Sequence, residues 1–157
     1  MTTLIVLRHA KAERGFGSPD ADRSLTGRGR RDATAAGEWL STSGLAPDLV
    51  LCSPSARTRE TLECLAVDAA VGYQPEIYDD DVEALFQLLR ETGEQVGTLL
   101  LIGHNPTVHQ LVHDLTGDGG AAFPTCALAV IEIADGWAGT WPGAGRRTAF
   151  WSPKTPH

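Results

Sequence analysis

The sequence predicts a three-layer α/β/α sandwich around a mixed, mainly parallel central sheet, in one domain that spans residues 1–157. Two observations support this fold class. Several short runs are apolar at nearly every position, as in residues 3–7 (TLIVL) and 98–102 (TLLLI), which is typical of strands buried on both faces. Segments with apolar residues at helical spacing alternate with these runs. The chain of 157 residues is short and leaves little room for a large lid insertion.

The predicted strands are short and are bounded by turn or capping signals. A run at 48–52 (DLVLC) has the same length as the first strand and a similar composition, and 76–78 (EIY) combines β-branched and aromatic residues. The segment 147–151 is predicted to be an edge strand. In chain order, the predicted strands are residues 3–7, 48–52, 76–78, 98–102, 127–133 and 147–151.

Four predicted helices begin at a polar residue that can cap them. Thr26 is the predicted N-cap of a helix over residues 28–42, and Asp81 that of a later helix. Ser53 and Asn105 are predicted caps that are each followed by proline, which is favoured at the first helical position. The apolar faces are predicted to comprise Ala33, Ala36, Trp39 and Leu40; Thr58, Thr61, Leu62 and Leu65; Val82, Leu85, Phe86 and Leu89; and Val108, Leu111, Val112 and Leu115.

Composition restricts the classes of partner and compartment. The chain carries 20 acidic and 13 basic side chains, for a net charge of −7. Nucleic acids and anionic membranes require a basic protein surface, so neither is expected as a partner. The three cysteines are far apart, which disfavours a disulfide framework or a zinc knuckle. We find no signal peptide and no apolar run of about 20 residues, so a cytoplasmic protein is expected.

Polar side chains follow three of the predicted strands, and the carboxyl ends of parallel strands meet at one edge of a sheet. Arg8 and His9 follow the first strand, Arg57 lies shortly after the second, and His104 follows the fourth. Arginine binds phosphate through paired hydrogen bonds, and helix N-termini add N–H donors. Each residue alone has an ordinary structural explanation. Together they predict a site for a doubly charged oxyanion.

Ordered motifs give most of the chain a resemblance to a known family. Residues 7–10 (LRHA) resemble the signature of the histidine phosphatase superfamily, which includes the phosphoglycerate mutases. The other motifs are similar to the short branch of SixA-like phosphohistidine phosphatases. They are residues 22–29 (DRSLTGRG), 52–61 (CSPSARTRET), 103–106 (GHNP) and 123–125 (FPT).

The resemblance implies a phosphoglycerate mutase-like fold and a metal-independent phosphatase that needs no cofactor. His9 would attack phosphorus and form a phosphohistidine intermediate. Arg8, Arg57 and His104 would hold the phosphoryl oxygens and stabilise the transition state. His9 must be neutral to attack, and we expect the two arginines to lower its pKa. Ala10 replaces the glycine of the broader pattern, which favours the SixA-like branch over the mutases.

The proton donor is the site residue that the motifs define least. Larger members of the superfamily carry an acid after the third strand, where this chain reads YDDDVE at 78–83. Asp80 is the candidate, with Asp79 and Glu83 as alternatives. A leaving imidazole can take its proton from solvent, so a poorly defined acid favours phosphohistidine in a protein as the substrate. A small phosphomonoester is the alternative substrate, and a phosphate-binding module without turnover is the alternative function.

Two other patterns resemble catalytic or metal sites but are interpreted as structural. Cys52 begins CSPSAR, but four residues separate it from Arg57, which does not match the C-x5-R loop of cysteine-dependent phosphatases. It is therefore predicted to be a buried strand residue. His109 and His113 have the spacing of a zinc site, but the accompanying glutamate is absent. Both are predicted to lie on a solvated helix face.

A glycine- and arginine-rich segment occupies residues 27–32 (GRGRRD). It lacks the third glycine of a dinucleotide-binding loop and follows a helix cap instead of a strand. Its three arginines are predicted to form a solvated helix face, with contact to an acidic partner protein as the alternative.

Overall fold

The computed structural model describes residues 1–15, 17–120 and 122–154. The strands are β1 (Thr2–Arg8), β2 (Leu49–Cys52), β3 (Ala70–Tyr73), β4 (Thr98–Gly103), β5 (Leu128–Ile133) and β6 (Gly145–Trp151). The helices are α1 (Gly27–Thr42), α2 (Ala56–Leu65), α3 (Pro75–Tyr78), α4 (Val82–Arg90) and α5 (Thr107–Thr116), with 3-10 turns at Asp20–Asp22 and Trp137–Gly139. Among the described residues, no helix combines the length and the apolar character needed to span a bilayer.

The six strands form one sheet in the order β3-β2-β4-β1-β5-β6. β2 pairs in parallel with β3 and with β4, and β4 pairs in parallel with β1. β5 is antiparallel to both of its neighbours, β1 and β6. The predicted mixed, mainly parallel sheet is therefore confirmed. Because β2, β4 and β1 are adjacent and parallel, their carboxyl ends lie side by side.

Helices cover both faces of the sheet and create two hydrophobic cores. α1 and α2 pack on one face, and α3, α4 and α5 pack on the other. In β1, Leu4 and Val6 belong to the core under α3, α4 and α5. Ile5 and Leu7 belong to the core under α1 and α2. All four side chains are fully buried. Burial on both faces explains why this strand is apolar at every inner position, and the predicted three-layer architecture is confirmed.

The third strand differs from the prediction. Residues 76–78 lie in the short helix α3, which begins at Pro75 and buries Ile77 in the core. The strand is formed instead by Ala70–Tyr73, at the edge of the sheet next to β2. Three of its four residues are exposed, so this strand lacks the buried apolar run by which strands are recognised.

Two of the four predicted helix caps are confirmed and two are wrong. Thr26 accepts from the Gly29 N–H, and Asp81 accepts from the Glu83 N–H. α2 begins at Ala56 and α5 at Thr107, so neither Ser53 nor Asn105 caps a helix. Both side chains are used in contacts between distant segments. Ser53 contacts His104, and Asn105 donates to the carbonyl oxygen of Phe123.

Candidate active site

The predicted strand ends meet as expected. Arg8, the last residue of β1, is paired with Gly103, the last residue of β4. The next residue, His9, donates its backbone N–H to the Gly103 carbonyl oxygen, and Ser53 after β2 donates to the Ile102 carbonyl oxygen. This hydrogen bonding brings the segments that carry Arg8, His9 and His104 to one edge of the sheet.

A hydrogen bond to the neighbouring backbone fixes the orientation of the His9 ring. Its Nδ1 lies 2.7 Å from the carbonyl oxygen of Ala10. A carbonyl only accepts hydrogen bonds, so Nδ1 carries the proton and Nε2 of the neutral ring is unprotonated. The backbone is held as well, because Ala10 N–H donates to Thr61 Oγ1 and His9 O accepts from Cys126 N–H. The result is a fixed ring nitrogen with a free lone pair.

Burial is the main reason that His9 is neutral. The side chain is almost completely buried, and this lowers its pKa to about 3. The hydrogen bond to Ala10 raises the pKa, while the charges of His104, Arg57 and Arg8 lower it further. The expected effect of the arginines is therefore present, but it is smaller than that of burial.

His104 lies next to His9 on the other side of the site. The ring centroids are 5.4 Å apart, and the planes are tilted by 53°. His104 Nε2 is 2.8 Å from Ser53 Oγ. Burial is the largest cause that lowers its pKa to about 4, followed by the charge of Arg57, whereas Asp20 and Asp80 raise it. When the Ser53 hydroxyl donates to Nε2, the ring proton lies on Nδ1, which becomes a hydrogen-bond donor.

Both arginines are anchored through the ends of their guanidinium groups. Arg8 donates from Nη1 to the Phe123 carbonyl oxygen at 3.2 Å. Arg57 donates from Nη1 to the Asp20 carbonyl oxygen at 2.9 Å and from Nη2 to Asp20 Oδ2 at 3.1 Å. These bonds leave Nε of each arginine buried and without a partner.

Buried polar atoms without a partner are concentrated at this site. Within the described ranges there are four such side-chain atoms: Arg8 Nε, Arg57 Nε, His104 Nδ1 and Asn105 Oδ1. Buried polar groups in proteins nearly always have hydrogen-bond partners, so a cluster of exceptions calls for a ligand. Two guanidinium N–H groups and a histidine ring nitrogen match the oxygens of an anion such as phosphate.

Asp80 is close to His104 but does not contact His9 by any hydrogen bond that the structure records. Its Oδ1 accepts from Thr107 Oγ1 at 3.3 Å, at the start of α5. Its negative charge acts on His104, whose pKa it raises. The position at the edge of the site is compatible with a proton donor, and that role stays a prediction.

Sequence reasoning missed Asp20, Tyr78 and the contact role of Ser53. Asp20 binds Arg57, and the Tyr78 hydroxyl donates to Asp20 Oδ2. The Tyr78 ring also meets His104 edge-on, with centroids 5.4 Å apart. Asp20 and Tyr78 are 58 residues apart, so no local pattern connects them. A local sequence signal for Asp20 is the opposite charge of Arg23 three residues later, and the two side chains form an ion pair.

The alternative nucleophile Cys52 is a buried thiol, as predicted. Its Sγ contacts the Ser53 carbonyl oxygen at 3.3 Å, and burial raises its pKa to about 12. A thiol with such a pKa is a poor nucleophile at neutral pH. His109 uses Nε2 to contact the Gly119 carbonyl oxygen, while His113 is exposed. The described residues contain no group of three or more His, Cys, Asp or Glu side chains arranged to hold a metal.

Comparison with known proteins agrees with the geometry. Residues 4–83 match the histidine phosphatase superfamily (branch 1). The phosphohistidine phosphatase SixA of Escherichia coli (strain K12) is 31% identical, over 88% of this chain and 89% of its own length. Two solved structures are also similar. One is a protein from Nakamurella multipartitia assigned as a SixA phosphohistidine phosphatase, with a TM-score of 0.89 and 31% identity over 98% of this chain and 97% of that chain.

The second is the protein histidine phosphatase SixA complexed with tungstate, with a TM-score of 0.84 and 27% identity over 97% of each chain. The matched residues 4–83 include Arg8, His9 and Arg57, and the structural matches extend over His104 as well. The motifs, the fold and these relatives lead to one assignment. The chain belongs to the histidine phosphatase superfamily, and within it to the SixA-like phosphatases.

Proposed function

We propose that this phosphatase hydrolyses phosphohistidine in a partner protein through a phosphorylated His9, without a metal or other cofactor. The observation that carries the proposal is the free lone pair of His9 Nε2 beside buried donors that have no partner. A fixed nucleophile and unpaired donors suit attack on phosphorus and the binding of its oxygens. We further propose that residues 1–157 act as one domain, in the cytoplasm.

The proposed reaction has two displacements at phosphorus. In the first, His9 Nε2 forms a bond to phosphorus while the bond to the substrate nitrogen breaks, and the leaving imidazole takes a proton from solvent. In the second, water attacks phosphorus, the bond to His9 breaks, and inorganic phosphate leaves. Arg8, Arg57 and His104 hold the equatorial oxygens in both steps, where charge develops.

The positive charge needed for this chemistry is supplied by side chains. Two guanidinium groups, those of Arg8 and Arg57, lie at the site, and Arg8 stays charged although burial lowers its pKa. Preorganised donors in a partly water-excluded site stabilise a developing anion without reorganising. We therefore expect activity in the presence of a chelator.

The similarity to a phosphohistidine phosphatase supports the proposed substrate class. The site supports it as well, because among the described residues no carboxylate forms a hydrogen bond to His9, and a leaving imidazole can take its proton from solvent. A small phosphomonoester is the second candidate. Asp80 favours it, because its carboxyl group lies close enough to His104 to affect that pKa and could protonate an oxygen leaving group.

A comparison of substrates tests the proposal. Hydrolysis of a phosphohistidine-carrying protein is measured beside a panel of small phosphomonoesters, with and without EDTA. The phosphoenzyme is trapped with radiolabelled substrate and tested for the acid lability of a phosphoramidate bond. We expect faster turnover of the phosphohistidine protein, no effect of EDTA, and an acid-labile label on the wild type only.

Two histidine variants provide the comparison. His9→Ala should abolish both label and turnover, whereas His113→Ala, on an exposed helix position, should retain both. Turnover that survives in His9→Ala would overturn the mechanism. Faster turnover of phosphomonoesters, with strong slowing by Asp80→Asn, would establish the second candidate instead. Oxyanion binding without any turnover would identify a binding module.

A further inference from the structure

We propose that Asp20 is the positioning residue of Arg57, holding the ends of its guanidinium group so that the Nε–H edge faces the phosphoryl group. The inference rests on the proposed function. It concerns a residue that lies far from Arg57 in the sequence. Asp20 lies in the 3-10 turn Asp20–Asp22, whereas Arg57 lies in the first turn of α2. The turn brings a carboxylate and a carbonyl oxygen to the same arginine.

The geometry of the contact is end-on. Nη1 of Arg57 donates to the Asp20 carbonyl oxygen, and Nη2 donates to Asp20 Oδ2. A guanidinium group has five N–H bonds in a fixed planar arrangement, so fixing both ends fixes the direction of the Nε–H bond. That Nε is buried and has no partner. Asp20 thus leaves one edge of Arg57 available for an oxyanion.

Asp20 is itself held by several groups, which makes it a firm anchor. Arg23 Nη1 donates to Oδ1 at 3.0 Å, and the Tyr78 hydroxyl donates to Oδ2. These bonds hold the pKa of the Asp20 carboxyl group well below its usual range, so it is charged at neutral pH. Arg23 also donates from Nε to the Glu13 carbonyl oxygen, which connects the turn to the segment after β1.

Arg8 is held by a neutral anchor at one end only. Its Nη1 binds the carbonyl oxygen of Phe123, which also accepts from Asn105 Nδ2 at 2.8 Å. Its Nε is again buried and unpartnered. Both arginines are therefore bound at an end and free at Nε. Arg57, the less exposed of the two, has a charged anchor, and a partner of opposite sign stabilises a buried charge.

A competing explanation makes the opposite prediction. Asp20 could occupy the place of the substrate phosphate and be displaced when substrate binds. Removing its carboxylate would then strengthen oxyanion binding, because Arg57 would be released and a negative charge would be lost. In the positioning role, removal weakens binding, because Arg57 loses the contacts that orient it.

The experiment compares Asp20→Ala and Asp20→Asn with Asp22→Ala, which removes an exposed carboxylate from the same turn. For each protein, kcat and KM are measured with the phosphohistidine substrate, and the Kd of tungstate is measured by calorimetry. We expect Asp20→Ala to lower kcat about 10- to 100-fold and to weaken tungstate binding. Asp20→Asn should recover part of both, because its amide oxygen can accept from Nη2. Asp22→Ala should match the wild type.

A double variant separates positioning from a general effect on stability. Arg57→Lys should cost much less activity in the Asp20→Ala background than in the wild type, because the two residues act as a unit. Additive losses, or a kcat of Asp20→Ala within twofold of the wild type, would overturn the inference. Tighter tungstate binding by Asp20→Ala would overturn it in favour of displacement.

The two proposals fail in different ways. If the wild type binds tungstate in an Asp20-dependent manner but forms no phosphoenzyme, the proposed function fails and the positioning role stands. If turnover is normal and independent of Asp20, the positioning role fails and the proposed function stands. A wild type that binds no tungstate and turns over nothing would overturn both.

Discussion

The parallel and the antiparallel parts of the sheet contribute to the site in different ways. The parallel strands β1, β2 and β4 end at the site. Arg8 is the last residue of β1, and the segments that follow the three strands carry His9, Arg57 and His104. β5 runs in the opposite direction, so that its first residue, Leu128, pairs with Leu7 near the end of β1. The parallel strands therefore deliver functional side chains, whereas the antiparallel strand brings its beginning to the same edge.

The segment before β5 contributes backbone groups to the site. The Phe123 carbonyl oxygen accepts from Arg8, and the Cys126 N–H donates to the His9 carbonyl oxygen. Most of β5 is buried and extends the core on both faces of the sheet. Backbone contacts place few demands on residue type. Substitutions in the two regions should therefore differ, with losses of chemistry in the parallel part and losses of stability in the antiparallel part.

The largest expected effect is on catalysis in the parallel part. Arg8→Met keeps much of the side-chain volume but removes the charge and the Nε–H donor. We expect kcat to fall by about 100- to 1000-fold, as for the loss of one preorganised donor to a transition state. Steady-state kinetics and thermal unfolding are measured on the same samples. A fall of less than about fivefold would show that Arg8 does not contact the reacting group.

A core substitution in β5 should have the opposite pattern. Ile131 is fully buried and belongs to the core under α4 and α5. Ile131→Ala should lower the free energy of unfolding by about 2–5 kcal/mol through lost burial and a residual cavity. Activity per folded molecule should stay within about twofold of the wild type. Urea denaturation and active-site titration check both parts, and a large loss of kcat in fully folded protein would contradict the comparison.

Acid should destabilise the protein through the two histidines of the parallel part. Their pKa values are about 3 for His9 and about 4 for His104 in the folded chain, below the value of about 6.5 for an unperturbed histidine. Between about pH 4 and 6.5 the unfolded chain binds more protons at these positions, so the free energy of unfolding rises with pH. The rise should end near pH 7. Urea unfolding at a series of pH values measures it, with His9→Ala as comparison.

That variant should show a shallower dependence on pH than the wild type, because it lacks one of the two groups that titrate on unfolding. An unchanged slope would mean that His9 is protonated in the folded protein. It would then be unable to act as a nucleophile at moderately acidic pH.

The smallest expected effect is at the outer edge of the antiparallel part. Arg146 in β6 forms an ion pair with Glu132 in β5 at 2.8 Å, and the arginine side chain is 75% exposed. Exposed ion pairs contribute little, so Arg146→Ala should change the free energy of unfolding by less than about 1 kcal/mol. Activity should not change. A larger effect on stability would indicate that the edge strand depends on this pair for its register.

Site residues that directly follow a recognisable buried strand were predictable from the sequence. Arg8, His9 and His104 follow apolar runs that form central strands, and a parallel sheet brings such positions together. The strand β3 could not be predicted in the same way, because it lies at the edge and exposes most of its side chains. Its identity depends on pairing with β2, which a local pattern does not report.

The wrong caps have a related cause. Ser53 and Asn105 each have the residue type and the following proline of a helix N-terminus. In the folded chain, Ser53 contacts His104 and Asn105 contacts Phe123, so both polar groups find partners away from the next helix. Capping is a local interaction, and a tertiary hydrogen bond at the site replaces it in both cases.

The sequence alone determined the family, the layered fold and the four charged or ring-bearing side chains of the candidate site, because these depend on short motifs and on the burial pattern of single elements. Tertiary structure decided how those side chains are held. It brought Asp20 and Tyr78 to Arg57 and His104 across long stretches of chain, and it made burial the main cause of the low pKa of His9. Such contacts depend on the path of the whole chain. The residue pattern of a single segment carries no information about that path.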